Sequence, residues 1–187
     1  MEPVVLRTER LVLSVPTDDD IDTIVELCQD ELMLDTLASL PWPYTRADAE
    51  FFVREVVAAG WEHGLGLGTV WGMREREGGP LLGTVGWNAE RAEIGYWMGA
   101  PSRGRGYMTE AVRAVCAWVF AELGVERIGW EAVAGNAASA RVARAAGFRY
   151  DGEGPSNIAF RDGSHPHSRH GHLLATDDGA PKPGWPL

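Results

Sequence analysis

Positive charge is scarce in this sequence. Its 187 residues include 17 lysines and arginines against 27 aspartates and glutamates, which gives a formal net charge of −10. Nucleic-acid backbones demand clustered lysine and arginine, so this balance excludes a nucleic-acid partner. The same acidity is compatible with a cationic substrate such as an amine.

Cysteine and long apolar runs are scarce as well. The two cysteines are Cys28 and Cys116, and both fall on apolar faces of predicted helices. We expect buried, reduced thiols, because their spacing fits neither a disulfide framework nor a metal site. The opening MEPVVLRTER has no basic region followed by an apolar run, and no stretch suits a membrane span. These absences predict a soluble, cytoplasmic protein with no membrane partner.

The residues that are present predict one mixed α/β domain. Helix-capping patterns at Thr17 and Thr45 each precede apolar residues at helical spacing. The predicted order is a strand, two helices, an antiparallel meander, then a helix, a strand, a helix and two strands. We place the domain at residues 1–176 and expect a loose, proline-rich C-terminal tail at 177–187. The predicted strands cover residues 11–15, 69–74, 81–87, 91–98, 127–133, 148–153 and 171–175.

The segment PSRGRGYMTEA, residues 101–111, predicts an anion site at the start of the third long helix. The first free amides of a helix carry partial positive charge and point outward. Gly104 and Gly106 let a ligand approach the backbone, and Arg103 and Arg105 add donors. The alternative is a turn shaped by glycines with arginines that solvate the helix end.

Two further patterns decide between these readings. One is AEIGYWMGAPSRGRGYMTEA, residues 92–111, in which a strand leads directly into the glycine loop. The other is NAASARVARAAGF, residues 136–148, a short helix that ends at a glycine. Together they resemble the GNAT superfamily of acyl-CoA-dependent N-acyltransferases, and most of all its branch of ribosomal-protein N-terminal acetyltransferases. The resemblance begins at TERLVLSVPT, residues 8–17, and covers most of the chain.

The resemblance implies a GNAT-like mixed, mostly antiparallel central sheet flanked by about four helices. It implies acetyl-CoA as co-substrate, no metal, and a coenzyme diphosphate held on the backbone of the glycine loop. Met108 departs from the small residue that is common at its position in the family. The cofactor-binding residues implied in this way are Trp97, Met98, Arg103, Gly104, Arg105, Gly106, Tyr107 and Asn136.

Acyl transfer to an amine needs a base, an oxyanion donor and a proton for the thiolate. Glu93 is the candidate base; the alternative is a solvated strand carboxylate or an arginine partner. The family's oxyanion donor is a backbone amide, here of Trp97 or Met98. Many GNAT enzymes carry a tyrosine where this chain has Ala143, and Ser139 instead matches the serine that approaches the coenzyme sulfur in the ribosomal branch.

Asn136 would hold the pantetheine arm of the coenzyme, although Asn136 and Ser139 are also ordinary helix-capping residues. Tyr150 and Tyr107 are weaker candidates for the acid.

The remaining signals concern the acceptor. Trp42 and Tyr44 lie where this family shapes its acceptor pocket, so we assign them to it as substrate-pocket residues. Four histidines, at 165, 167, 170 and 172, border the same entrance rather than a metal. Glu110 is interpreted as structural, because a carboxylate suits the first turn of a helix.

The function expected from these residues is transfer of an acetyl group from acetyl-CoA to a primary amine, either a protein N-terminus or a small molecule. Two alternatives stay open: another donor such as succinyl-CoA, or a coenzyme-binding regulatory module with weak catalysis. A homodimer is left open, and so is the identity of the acceptor.

Overall fold

An eight-stranded sheet forms the centre of the computed structural model, which describes residues 2–38, 40–63 and 68–187. The strand order is β1-β2-β3-β4-β5-β6-β8-β7, and neighbours are antiparallel except for the parallel pair β5 and β6. The strands are β1 Leu6–Arg7, β2 Val12–Ser14, β3 Thr69–Arg74, β4 Gly83–Asn88, β5 Glu93–Met98, β6 Arg127–Val133, β7 Arg149–Pro155 and β8 His167–Leu174.

Six α-helical segments flank the sheet. A π-helical section, Phe52–Val57, joins α3 to α4 without a break. The segments are α1 Ile21–Leu27, α2 Glu31–Leu34, α3 Arg46–Phe51, α4 Ala58–His63, α5 Tyr107–Leu123 and α6 Ala137–Ala145. No helix in the described part of the chain is long and apolar enough to cross a membrane.

The predicted helix starts are confirmed. The backbone N–H of Thr45 donates to the Asp48 carboxylate over 2.8 Å, which is the capping box expected from the sequence. Thr17 N–H donates in the same way to Asp20, also over 2.8 Å, and a 3-10 turn then leads into α1. The short α2 has no counterpart in the sequence prediction, because four residues are too few to show a helical period.

The sheet separates two hydrophobic clusters. The larger lies under α5 and α6 and includes Trp71, Val115 and Phe148, all fully buried. The smaller joins α1 and α3 to the other face of the sheet. Side chains alternate along a strand, so on β5 Tyr96 packs against the first cluster and Trp97 against the second. Any ligand that enters between β5 and β6 can therefore be reached from both faces.

Both cysteines are buried free thiols, as expected. Cys116 belongs to the larger cluster and Cys28 to the smaller, and burial raises the pKa of the Cys28 thiol to about 12. A thiol with so high a pKa is not a nucleophile at neutral pH.

One internal ion pair ties the first helices to the sheet. Arg74 at the end of β3 bonds the carboxylate of Asp20, and both side chains are less than a tenth exposed. Arg74 also donates to Ser14 of β2 over 3.2 Å, so the pair fixes the entry to α1 on the sheet.

Candidate active site

The sheet is split between its two parallel strands. β5 and β6 pair at Glu93 and Gly129, where the Gly129 N–H donates to the carbonyl of Ala92 over 2.7 Å. Both strands are fully described, and no further ladder pairing joins them. The later parts of β5 and β6 therefore leave an opening in the middle of the sheet.

Backbone alternation decides which amides face this opening. The N–H of Gly99, directly after β5, donates to the carbonyl of Leu82, directly before β4, over 2.9 Å. Along an antiparallel pair, every second residue turns its N–H and carbonyl toward the partner strand. Trp97 therefore also turns its N–H to β4, while Met98 turns its N–H to the opening. Of the two oxyanion donors that the sequence left open, the geometry favours Met98.

The glycine loop ends in a helix start with exposed amides. Gly104 and Gly106 both have φ of +78°, a left-handed conformation that glycine adopts without strain. Gly106 is the N-cap of α5 and no side chain caps it. A Cβ placed on Gly104 would have no atom within 4 Å. Open space thus lies beside Gly104, two residues ahead of the N-cap of a 17-residue helix, and the free amides of a helix start are groups that can bind an anion.

The loop side chains are engaged with the protein rather than left free. Arg103 donates to the carbonyl of Met98 over 2.9 Å and pairs with Asp30, the N-cap of α2, over 2.6 Å. Glu75 lies 3.5 Å from Arg105 and accepts the Tyr107 hydroxyl over 2.5 Å. Arg103 therefore shapes the loop, whereas Arg105 is more than half exposed and makes only a long contact with Glu75.

Glu110 has the structural role expected of it. It accepts from the Thr8 hydroxyl over 2.5 Å and pairs with Arg10 over 2.6 Å. Partial burial opposes ionisation, but these hydrogen bonds outweigh it and lower the pKa of Glu110. Arg10 also lies 4.9 Å above the Tyr107 ring and donates to the carbonyl of Arg105. The N-terminal segment is thereby fixed to the glycine loop.

Three polar groups meet on the α6 side of the opening. The Trp130 indole N–H donates to the Tyr96 hydroxyl over 2.9 Å and lies 3.2 Å from Ser139 Oγ. The two hydroxyls are 3.0 Å apart, and Tyr96 donates to the Ser139 carbonyl. Burial raises the pKa of the Tyr96 phenol, so the phenol keeps its proton at neutral pH. Asn136 caps α6 through its side-chain oxygen, which accepts from the N–H of Ser139.

Two carboxylates lie on the opposite face. Glu93 and Glu131 share a face with Gly129, since residues of one strand alternate and Glu93 packs against the Cα of Gly129. Glu131 is 8% exposed and accepts from Ser156 Oγ and from the N–H of Asn157. Glu93 is 15% exposed, pairs with Arg91 over 3.1 Å and lies 3.5 Å from the Asn157 amide. An amine on this face would meet negative charge.

An opening in the sheet, an anion-binding helix start beside it and carboxylates behind it are features of acyl-CoA-dependent acyltransferases. A family model of the acetyltransferase (GNAT) domain matches residues 10–149, three quarters of the chain. The chain belongs to the GNAT acetyltransferase family. Its predicted fold, a mixed, mostly antiparallel sheet flanked by about four helices, is confirmed: in the described part of the chain α3 and α4 form one continuous helix, so five helices flank the sheet.

Individual relatives agree with this GNAT assignment. The uncharacterized N-acetyltransferase YoaA of Bacillus subtilis (strain 168) is 29% identical over 158 residues, which is 79% of this chain and 84% of that protein. RimL, a ribosomal L7/L12 α-N-protein acetyltransferase solved in complex with coenzyme A, superposes with a TM-score of 0.77 at 15% identity, over 91% of this chain and 98% of that one. MccE, a microcin C7 self-immunity acetyltransferase in complex with acetyl-CoA and AMP, superposes with a TM-score of 0.75 at 16% sequence identity. The superposition covers 89% of this chain and 93% of that one. At these identities the two structures share the fold.

A hairpin arm, residues 156–166, joins β7 to β8 in this GNAT domain, and its Asn157 contacts both Glu131 and Glu93. Its neck closes where Ser156 N–H donates to Pro166 O over 2.9 Å. The arm reaches α2, where Arg161 donates to the carbonyl of Leu34 over 3.0 Å. It therefore spans from Glu131 to α2, whose N-cap residue Asp30 pairs with Arg103.

The four histidines interact with protein groups. His165 lies 2.7 Å from the carbonyl of Ser156, and His170 lies 3.7 Å from Glu131. His167 and His172 pair with Glu153 and Asp151 at 2.9 and 2.7 Å. In the described part of the chain, no three or more ligand-type side chains are grouped to hold a metal. His170 and His172 lie on β8 opposite Glu131 and Gly129 and so share the face of the two glutamates, whereas His167 pairs with Pro155 at the start of the β7–β8 ladder. That the histidines border the acceptor entrance stays a prediction.

Trp42 and Tyr44 occupy different environments. Tyr44 is buried in the smaller cluster, and that burial raises the pKa of its phenol. Trp42 is 38% exposed at the surface. Trp42 is therefore the more accessible of the two to an acceptor. The weaker acid candidates lie apart from Ser139: Tyr107 bonds Glu75, and the Tyr150 ring packs against Trp185.

Sequence reasoning did not find Tyr96, Trp130 or Glu131. Each lies in a strand whose pattern is explained by core packing, and each acquires its polar partner only through tertiary contact. Ala143, where a tyrosine is common in the family, is fully buried, and the Tyr96 phenol instead reaches Ser139 from β5. The EIGYWM segment itself was the available signal for Tyr96.

Proposed function

We propose that this GNAT protein transfers the acetyl group of acetyl-CoA to a primary amine. The observation that carries the proposal is the opening between β5 and β6, with the exposed amides of α5 beside it and two carboxylates on the far face. Coenzyme and amine would thus approach from opposite faces and meet at the Met98 amide.

The coenzyme diphosphate would lie over the backbone amides of the segment from Arg103 to Tyr107, in the space above Gly104. The fit is supported by the uncapped start of α5 and by the absence of any atom within 4 Å of a Cβ at Gly104. Asn136 uses its side-chain oxygen for the cap, which leaves its Nδ2 donors for the pantetheine arm. The acetyl-CoA and coenzyme A bound by MccE and RimL agree with this choice of donor.

Glu93 is proposed as the base. Amines arrive largely as ammonium ions, because an α-amino group titrates near ~8 and lysine near ~10.4. Both glutamates accept hydrogen bonds at both oxygens, but the contact from Asn157 to Glu93 is long, at 3.5 Å, and Glu93 is the more exposed and lies beside the open position of Gly95. Glu93 would remove the proton directly or through water, and the charge of Glu131 would add to the attraction for the cation.

The chemical step forms the amide C–N bond and breaks the thioester C–S bond. The Met98 N–H, which faces the opening, would stabilise negative charge on the carbonyl oxygen. The departing thiolate would accept hydrogen bonds from the Ser139 and Tyr96 hydroxyls and would take its proton from solvent. Burial raises the pKa of the Tyr96 phenol, so the phenol stays protonated and can act as a hydrogen-bond donor to the thiolate.

The acceptor is proposed at the level of a primary amine. RimL acts on a ribosomal protein α-amino group and MccE belongs to microcin immunity, so the shared fold serves different acceptors. A protein N-terminus and a small amine both fit the acidic face described above.

Substitution of the two glutamates tests the proposal. Release of coenzyme A thiol from acetyl-CoA would be followed with a panel of primary amines and of peptides with free N-termini. Glu93→Gln should lower kcat about 100-fold or more, because loss of a general base typically costs that much. Binding of acetyl-CoA, followed by thermal shift, should be retained.

Glu131→Gln is the matched control. It should raise the KM for the amine more than it lowers kcat, since it loosens the hairpin arm at Asn157. A larger loss of kcat in Glu131→Gln than in Glu93→Gln would assign proton removal to Glu131 instead. Wild-type protein that binds acetyl-CoA but releases no thiol with any acceptor would support the regulatory module.

A further inference from the structure

The C-terminal tail does not hang free of the domain. Asp177, with a side chain only 3% exposed, bonds Arg149 of β7 and accepts from the N–H of Leu174 over 3.0 Å. Gly179 packs closely against Gly147: a Cβ added to Gly147 would lie only 2.8 Å from the Cα of Gly179. The division at residue 176 stays a prediction, but residues 177–187 pack against the domain rather than forming the loose tail expected from their prolines.

Trp185 is the residue through which the tail meets the sheet. Its indole N–H donates to the carbonyl of Phe148 over 3.1 Å. Its ring lies edge-on to Trp130, with centroids 5.3 Å apart, and 5.4 Å from Tyr150. Gly171 of β8 lies beside both rings: a Cβ there would only contact the Trp130 and Trp185 rings, at 3.4 and 3.5 Å, but would clash with the carbonyl of Arg149 at 2.6 Å.

Trp130 in turn fixes the two hydroxyls that face the opening. An indole N–H can only donate, so its bond to the Tyr96 oxygen fills an acceptor site there. The proton of the phenol must then point elsewhere, to the Ser139 carbonyl or to a group in the opening. The ladder between β5 and β6 ends at Gly129, so at Trp130 the backbone of β6 is held on one edge only, by β8, where Trp130 lies opposite Gly171.

We propose that Trp185 is a positioning residue: it holds the Trp130 indole so that the Tyr96 and Ser139 hydroxyls are directed at the departing thiolate. Its role in transfer rests on the proposed function. Trp185 touches neither hydroxyl and acts through the ring of Trp130 alone. The tail, which packs on the α6 side of the sheet, would therefore support transfer without contacting the reacting atoms.

The test compares Trp185→Ala and Trp185→Phe with Leu187→Ala, an exposed residue of the same tail. Trp185→Ala should lower kcat about tenfold, because small misplacements of catalytic groups cost one to two decades, while KM for acetyl-CoA and for the amine change less than about twofold. Trp185→Phe keeps a ring against Trp130 and should recover most of the rate. Leu187→Ala should behave as wild type.

A second measurement does not depend on turnover. The indole N–H resonance of Trp130 in a ¹⁵N–¹H NMR spectrum should shift and exchange faster with solvent in Trp185→Ala, and should stay close to wild type in Trp185→Phe. An unchanged resonance in Trp185→Ala would overturn the positioning role. A wild-type protein without acetyl transfer would overturn the proposed function, and the resonance would still decide whether Trp185 orients Trp130.

Discussion

Gly95 is the residue of β5 that leaves open space on the face of Glu93, because it has no side chain and no neighbouring atom fills the position. It lies two residues after Glu93 on the same face, and a Cβ there would have no atom within 4 Å. Its neighbour two residues on, Trp97, packs against the smaller cluster. The amine that reaches Glu93 would therefore pass over Gly95.

Side chains of increasing size at Gly95 should close this route. Gly95→Ala and then Gly95→Leu should raise the amine KM stepwise, with the acetyl-CoA dissociation constant unchanged, because the added atoms fill space only on the acceptor face. Folding should not suffer, since glycine inside a strand is itself unfavourable. Steady-state kinetics with both substrates varied measures this, and an amine KM equal to wild type in Gly95→Leu would place the acceptor elsewhere.

Single residues also show what sequence reasoning can reach. Glu93 and Ser139 were predicted because each belongs to a motif with a family counterpart; their roles stay predictions, and the structure places them on opposite faces of the sheet beside one opening. Tyr96 was missed because a tyrosine in an apolar strand is explained by packing alone. Its hydroxyl acquires a polar partner only in the folded chain, where Ser139 of α6, 43 residues later in the sequence, lies 3.0 Å away.

At the scale of elements, α5 has a glycine with a left-handed backbone near each end, and only the one before the helix lies at the proposed coenzyme site. Gly104 before the helix and Gly124 after it have φ of +78° and +64°, and a Cβ on either would meet no atom within 4 Å. An alanine at either position would suffer the same left-handed strain, of about 1 kcal/mol. Only the one at Gly104 would occupy the space proposed for the diphosphate.

Gly104→Ala should therefore weaken coenzyme A binding about tenfold or more, since displacement from helix-terminal amides loses charge-assisted hydrogen bonds. Gly124→Ala, at the other end of the same helix, should lose the same stability and bind normally. Isothermal titration with coenzyme A, beside urea unfolding of each variant, distinguishes them. Equal coenzyme affinity in the two variants would contradict a diphosphate at the glycine loop.

Elements with long, regular patterns were predicted well, and short or irregular ones were not. The bounds of β6 agree with the prediction, and α6 differs by one residue at its end. The four-residue α2 and the π-helical section were not predicted. Their identity depends on local contacts such as the bond from Leu32 N–H to Asp30, which leave no period to detect.

For the whole molecule, the ion pair of Asp20 and Arg74 connects the helical layer to the sheet. Both side chains are buried, and removal of one partner from a buried pair costs about 3–5 kcal/mol. Asp18, two residues earlier, pairs with Arg54 at the surface, where both side chains are at least half exposed. The two aspartates form a matched comparison of buried and exposed charge.

Asp20→Asn should lower the free energy of unfolding by about 3 kcal/mol, because Arg74 is then left as an uncompensated buried charge. Its remaining carbonyl oxygen can still accept from Thr17, so the cap is preserved. Asp18→Asn should change stability far less. Urea denaturation curves give both values, and a similar midpoint for the two variants would remove the pair as a link between layers.

The overall architecture was predictable, but the opening was not. Order of elements and alternation of apolar residues define the sheet and its layers, and the expected GNAT fold follows from them together with the two motifs. The separation of β5 from β6 and the docking of the tail depend on pairings between distant segments. No local sequence pattern around Gly129 predicts the separation of the strands, and none around Trp185 predicts the docking of the tail.

The split sheet has a consequence for exchange of amide hydrogens with deuterium. Trp97 and Met98 are adjacent, yet one N–H belongs to the β4 ladder and the other faces the opening, so the free protein should protect the first and not the second. A pantetheine arm carries its own amides and can substitute for the missing strand. Coenzyme A should then slow amide exchange at Met98 to the rate of Trp97, so that both edges of β5 are protected.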